Sequence, residues 1–151
     1  MKRKLSIITL FAVLMLVFGS SSAFAQYGYA DTWDDAIQIY YPGDTGGEAS
    51  STIDGTNDDD YYFMNNFSGE DVNFSLALYS PSGVNYDMQL IRVDQDGNIL
   101  KVTDVYDYGG VDAFGAYLLS GQGLYIRVHS HGANDYDSSN QYRLKLDIND
   151  N

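Results

Sequence analysis

Three stretches of this chain alternate apolar and polar residues so regularly that only a pleated strand accommodates them. Val72, Phe74, Leu76 and Leu78 interleave with Asn73, Ser75, Ala77 and Tyr79. Leu124, Ile126 and Val128 interleave with Tyr125, Arg127 and His129, and Tyr142, Leu144, Leu146 and Ile148 with Arg143, Lys145 and Asp147. A period of two sends one set to each face, so each stretch has one face to bury and one to wet. Clusters of Gly, Asn, Asp and Ser separate such runs at intervals of about ten residues, the spacing of a β-sandwich or barrel.

Further strands are expected over residues 49–53, 61–67, 86–93, 99–105 and 113–119. Met88-Gln89-Leu90-Ile91-Arg92-Val93 changes phase midway, which predicts a bulge or a strand buried on both faces. Asp96-Gly97 between two runs signals a hairpin, because a tight turn needs positive φ at its centre. Residues 34–41 allow a short helical turn or a first edge strand. The expected architecture is an all-β antiparallel sandwich of about eight strands with jelly-roll connectivity. Residues 124–129 and 142–148, so alike in pattern, are expected to pair in one half-buried sheet.

The first residues obey a different logic. Lys2, Arg3 and Lys4 precede an apolar run from Leu5 to Phe18, and Ala23-Phe24-Ala25 supplies the small-x-small pattern of a cleavage site. That order predicts an export leader over residues 1–25 and a single domain over residues 26–151. The apolar run is short of the roughly 20 residues a membrane span needs. With no cysteine in the chain, a lipid anchor on that residue is excluded, and disulfides cannot stabilise the exported domain. A well-filled core or a bound metal ion must do so instead. Without the leader, five basic residues face 21 acidic ones. Nucleic acid and anionic membranes both require Lys and Arg to neutralise phosphate, so neither is an expected partner. Divalent cations and basic or neutral partners are.

Four pieces, taken in order, resemble the bacterial pre-peptidase C-terminal domain family, which includes the collagen-binding domains of clostridial-type collagenases. They are Asp31-Thr32 with Ala36, then Asp58-Asp59-Asp60-Tyr61-Tyr62-Phe63. Asp87-Met88-Gln89-Leu90 leads into Asp94-Gln95-Asp96-Gly97-Asn98, and Ser120-Gly121-Gln122-Gly123-Leu124-Tyr125-Ile126-Arg127-Val128 is followed by Tyr142-Arg143-Leu144. The resemblance covers residues 30–148 and implies a jelly-roll sandwich that works as a binding appendage or is removed during maturation of secreted peptidases. It also implies a Ca²⁺ site, in which Asp31 matches the N-terminal ligand and Asn57 and Asp60 match the ligands of the acidic loop. Asp58 and Asp59 add oxygens nearby, and Ca²⁺ takes roughly six to eight hard oxygen ligands. Relatives carry glutamates upstream of Asp31, where this chain has Gln26, Tyr27, Gly28 and Tyr29. Where collagen-binding members carry paired tyrosines, it has His129 and His131, so the resemblance does not extend to collagen.

Other chemistries are less complete. His129 and His131 share a strand face, with Asp135 or Asp137 to follow, but two imidazoles leave a zinc shell half empty. Surface histidines are the expected reading. Asp94-Gln95-Asp96-Gly97-Asn98 opens like an EF-hand, yet Val105 stands where the bidentate Glu belongs. No nucleophile elbow, cysteine nucleophile or oriented base is present. The expected function is a secreted, non-catalytic binding module, calcium-stabilised, that recognises an extracellular protein or polysaccharide. The alternative is a free-standing pro-domain-like partner or inhibitor of an exported peptidase. Most of its 14 tyrosines are expected in the core and on the sheet surfaces, with only a few left to serve as a stacking platform for sugar or peptide.

Overall fold

A computed structural model describes residues 30–107 and 110–149. The leader expected over residues 1–25 lies outside the described residues. Nine strands follow a short 3-10 turn at Trp33–Asp35: β1 Ile37–Tyr40, β2 Gly46–Ile53, β3 Asp59–Asn66, β4 Val72–Tyr79 and β5 Tyr86–Val93, then β6 Ile99–Val105, β7 Val111–Leu118, β8 Gln122–Ser130 and β9 Asp137–Ile148. They form two sheets, one ordered β1-β3-β8-β5-β6 and the other β2-β9-β4-β7. Leaving β1 aside, successive strands alternate between sheets except at the β5–β6 hairpin. That is the eight-stranded jelly-roll order.

The alternation reads directly as burial. Phe74, Leu76 and Leu78 of β4, Leu124, Ile126 and Val128 of β8, and Tyr142, Leu144 and Leu146 of β9 fill the space between the sheets. Tyr62 and Met64 of β3 and Tyr86, Met88 and Leu90 of β5 complete this core. β5 lies between β8 and β6 and is buried on both faces, and its pairing with β6 slips between Arg92 and Val93. Both readings of its broken phase therefore hold. Gly97 takes φ 81° in the β5–β6 turn, where Asp94 Oδ1 accepts from the N–H groups of Asp96 and Asn98. The segment is a hairpin turn.

Two expectations need correction. Residues 124–129 and 142–148 are not partners: β8 belongs to one sheet and β9 to the other, facing each other across the core. Identical alternation tells which side of a strand is apolar, and either side-by-side or face-to-face placement satisfies it. Nor are the sheets wholly antiparallel, since β1 runs parallel to β3. Residues 34–41 supply both the turn and the strand, and Trp33 lies on the outer face of β8, its ring centroid 4.0 Å from that of Tyr125.

On the β1–β2 side the two sheets meet at a glycine. A Cβ on Gly47 would lie 1.9 Å from the carbonyl oxygen of Ile39, so only glycine lets these backbones approach.

Candidate functional site: the acidic end of the sandwich

The registers place Ile53 opposite Asp137, Asp59 opposite His129, Tyr86 opposite Ser130 and Tyr79 opposite Val111. One end of the sandwich therefore gathers the starts of β3, β5, β7 and β9 with the ends of β2, β4 and β8. Asp31, Asp54, Asp58, Asp60, Asp87, Asp112, Asp135 and Asp137 all belong to it.

Ala30 adopts φ 58°, a left-handed conformation that costs a residue with Cβ about 1–2 kcal/mol. Its carbonyl accepts from Tyr61 N–H at 2.8 Å, which pins the chain entering Asp31 beside β3. The β2–β3 turn closes when Asp58 N–H donates to the Gly55 carbonyl and Asp54 N–H donates to Asp58 Oδ2. Along β3 the acids then part company. Asp58 and Asp60 are buried, whereas Asp59 faces the other way and pairs with Arg127 at 2.8 Å.

Asp60 enters the core, only 2% exposed. Tyr142 of the opposite sheet donates its hydroxyl hydrogen to Asp60 Oδ2 at 2.5 Å. Tyr62 must then donate to the Tyr142 oxygen, also at 2.5 Å. A chain of hydroxyls thus ties β3 to β9 through otherwise apolar packing. Burial raises Asp60 to about 7, with the charges of Asp58 and Asp31 adding to the rise and hydrogen bonds from Tyr142 and Ser51 opposing it. Asp58 is raised as well, first by burial and then by the charges of Asp31, Asp54 and Asp59.

Asp31, Asp58 and Asp60, three of the four residues expected to ligate a metal, thus lie within electrostatic reach of one another. Asn57 is exposed in the same turn. Asp54 belongs to the same acidic cluster, and sequence reading did not name it. It stands outside the Asp58–Asp60 run, and only the turn brings it back. Asp31 Oδ1 and Asp54 Oδ1 are both shielded from solvent without a hydrogen-bond partner, as a cation's ligands would be before it arrives. Among the described residues, no three His, Asp or Glu side chains are drawn together tightly enough to hold an ion as they stand.

The histidines are engaged separately. His129 Nδ1 lies 2.9 Å from the Ser130 carbonyl, and His131 Nδ1 lies 2.9 Å from Asp87 Oδ2. His131 is raised by its hydrogen bond to Asp87 and by that group's charge, with Asp135 and Asp112 acting in the same direction. Beside it is a cleft of about 650 Å³, lined by residues 80–85, Gly110, Val111, His131 and Asp135.

No family model and no curated protein sequence matches the chain. Among solved structures it is similar to PliG of Aeromonas hydrophila, a periplasmic inhibitor of g-type lysozyme. The identity is 12%, over 76% of this chain and 96% of that one, with a TM-score of 0.50. The pre-peptidase C-terminal domain of a Bacillus anthracis collagenase aligns at 15% identity, over 76% and 94% of the two chains, with a TM-score of 0.47. A family 35 carbohydrate-binding module from an environmental isolate aligns at 10%, over 78% and 81%, with a TM-score of 0.37. At these identities the likeness to the lysozyme inhibitor is one of fold, and the two more distant alignments add nothing to it. The class defined is a jelly-roll β-sandwich domain with an acidic, loop-bearing end.

Proposed function

We propose that this chain is an exported, non-catalytic binding module of the pre-peptidase C-terminal type, stabilised by Ca²⁺ at its acidic end, that recognises an extracellular protein or polysaccharide. Asp31, Asp54, Asp58 and Asp60 supply the carboxylates, and Asn57 stands in the exposed part of the same turn. The observation that carries the metal is the pair of unpartnered, solvent-shielded oxygens on Asp31 and Asp54. A carboxylate oxygen so placed forfeits its hydration without compensation, and a divalent ion bound by oxygen ligands supplies it. The ion completes a structural contact between the chain entering β1 and the β2–β3 turn. Recognition falls to the loops, because a rigid sandwich presents variable loops at its ends. The solved lysozyme inhibitor that shares the fold acts on a protein, and loops at the end of a sandwich suit a protein or a polysaccharide partner.

The test is the thermal melt of residues 26–151 with excess Ca²⁺ and with chelator. Binding to the folded state alone adds about 2.7 kcal/mol at a hundredfold excess over Kd. An upward shift that Asp58→Asn removes is the expected result. A melt indifferent to Ca²⁺, chelator and the substitution would falsify the metal site.

A further inference from the structure

The outward face of the β2-β9-β4-β7 sheet differs in charge from the molecule that carries it. Leu144 and Leu146 of β9 and Leu76 and Leu78 of β4 point into the core. Their neighbours Arg143, Lys145 and Asp147 on β9, and Ser75, Ala77 and Tyr79 on β4, therefore point out. The registers set Glu48 of β2 beside Lys145, and Val111, Ala113 and Gly115 of β7 beside Tyr79, Ala77 and Ser75. The acids Glu48 and Asp147 and the bases Arg143 and Lys145 thus share one face and cancel. The domain as a whole sets 21 acidic residues against five basic ones. On so acidic a chain, a face without net charge is matched to an uncharged partner.

The same face has the form of a ledge. Lys145 pairs with Asp147 at 2.8 Å, and the Arg143 guanidinium carbon lies 4.4 Å from the centroid of the Tyr79 ring. These side chains border a low floor where β4 pairs with β7. Tyr117, 52% exposed, stands at its other end opposite Asn73. From the Tyr79 row to the Asn73 row is roughly 20 Å, at about 3.3 Å per residue. Gly115 in that floor has no cause within the fold. A Cβ there would meet only the Phe74 carbonyl oxygen, at an ordinary 3.7 Å, and the β4–β7 pairing passes through it without a bulge. Glycine weakens a strand, and where no bulge explains it, close approach of a ligand does.

We propose that this face binds a neutral, extended polysaccharide laid along β4 and β7. The inference rests on the binding-module reading and adds a flat surface to the loops of that reading. A sugar ring has an apolar face and a hydroxylated edge. The exposed Tyr117 ring receives the first. Asn73, Ser75 and the guanidinium of Arg143, which makes no ion pair among the described residues, serve the second. Charge complementarity selects the occupant: an anionic polymer is repelled by the rest of the chain, and a cationic one is drawn to the acidic end instead. A protein partner anchors through side chains seated in pockets, and this floor is flat.

The test is native electrophoresis of the exported domain, in Ca²⁺-containing buffer, through gels that carry hydroxyethyl cellulose or galactomannan, both neutral, or heparin, which is anionic. Tyr117→Ala removes the exposed ring, and Ala113→Asp puts a charge on the floor. Tyr41→Ala removes an equally exposed tyrosine from the loop after β1 and serves as control. A thermal melt confirms that each variant is folded, and either face variant suffices. The expected result is retardation by a neutral glycan and none by heparin, with binding at least about fivefold weaker in the face variants and within about twofold of the parent in Tyr41→Ala. Full retardation of a folded face variant, or equal loss in Tyr41→Ala, overturns the face as the site. Retardation by neither neutral glycan overturns the polysaccharide as occupant, as does a dimer in sedimentation that Tyr117→Ala dissolves, which would make the occupant a second copy. The module reading is judged separately, by its Ca²⁺-dependent melt, and survives each of these failures.

Discussion

Asp60 makes the metal-free domain less stable as pH rises, and Asp60→Asn isolates the effect. In the unfolded chain this carboxyl titrates near 3.8, and in the fold near 7. Between those values the folded state holds a proton that the unfolded state has released, so stability falls as pH rises through the window. Below 3.8 both states are protonated, and above 7 both are ionised. The whole difference is then in force as a penalty on the ionised fold. A displacement from 3.8 to about 7 corresponds to roughly 4 kcal/mol, an upper bound given residual solvent around the acidic turn. For a domain of this size that lowers Tm by about 10 °C or more between pH 4.5 and 7.5. Asp58 and Asp112 are raised in the same sense. His131 acts in the same direction, because its ion pair with Asp87 is lost as pH rises through its folded value. The assay is a series of thermal melts in chelator across that range, for the parent and for Asp60→Asn. The amide keeps an acceptor for Tyr142 but never charges, so the variant should lose most of the slope and match or exceed the parent above pH 7. Saturating Ca²⁺ should flatten the parent's slope, as the ion replaces the proton. A parent that grows more stable toward pH 7.5 in chelator, or a variant with an unchanged slope, refutes the reasoning.

Other perturbations have equally definite outcomes. Tyr142→Phe removes the donor to Asp60 and the acceptor for Tyr62 while conserving volume, and should destabilise the domain by about 1–3 kcal/mol in urea unfolding. Phe74→Ala empties a fully buried position on β4 and should cost about 3–5 kcal/mol by the same measurement. Gly47→Ala drives a methyl into the Ile39 carbonyl and should lower the urea midpoint sharply, whereas Gly69→Ala, with open space around it but φ 92°, should cost only about 1–2 kcal/mol.

What could be read in advance follows from which interactions are local. Strands β4, β8 and β9 were legible because Phe74, Ile126 and Leu144 recur at period two whatever lies opposite them. Their assignment to sheets was not, since that depends on contacts between residues far apart in the chain. The start of β9 was missed because Asp137, Ser138, Ser139 and Asn140 have the composition of a loop. β2 nonetheless supplies a ladder for this stretch, with Ile53 opposite Asp137. Of the acidic turn, Asp31, Asn57 and Asp60 were named through the family resemblance, and Asp58 as an oxygen donor beside them. Asp54 was not, because its membership arises from the hydrogen bond of its N–H to Asp58, four residues on. The cleft beside His131 carries no sequence motif, being assembled from three separate loops and strand ends.

The approach of Gly47 to Ile39 has a consequence for how the molecule opens. β1 sits at the margin of one sheet and β2 at the margin of the other, and their backbones touch where no side chain intervenes. Neither can swing away without disturbing its neighbour in the other layer, so that side behaves as a hinge pin. On the far side, β6 and β7 end their sheets with Ile99, Leu100, Val102 and Tyr117 exposed. Fluctuations of the sandwich should therefore resemble a book opening from its fore-edge: amide hydrogens of β6 and β7 exchange early and independently, and those of β1 and β2 late and together.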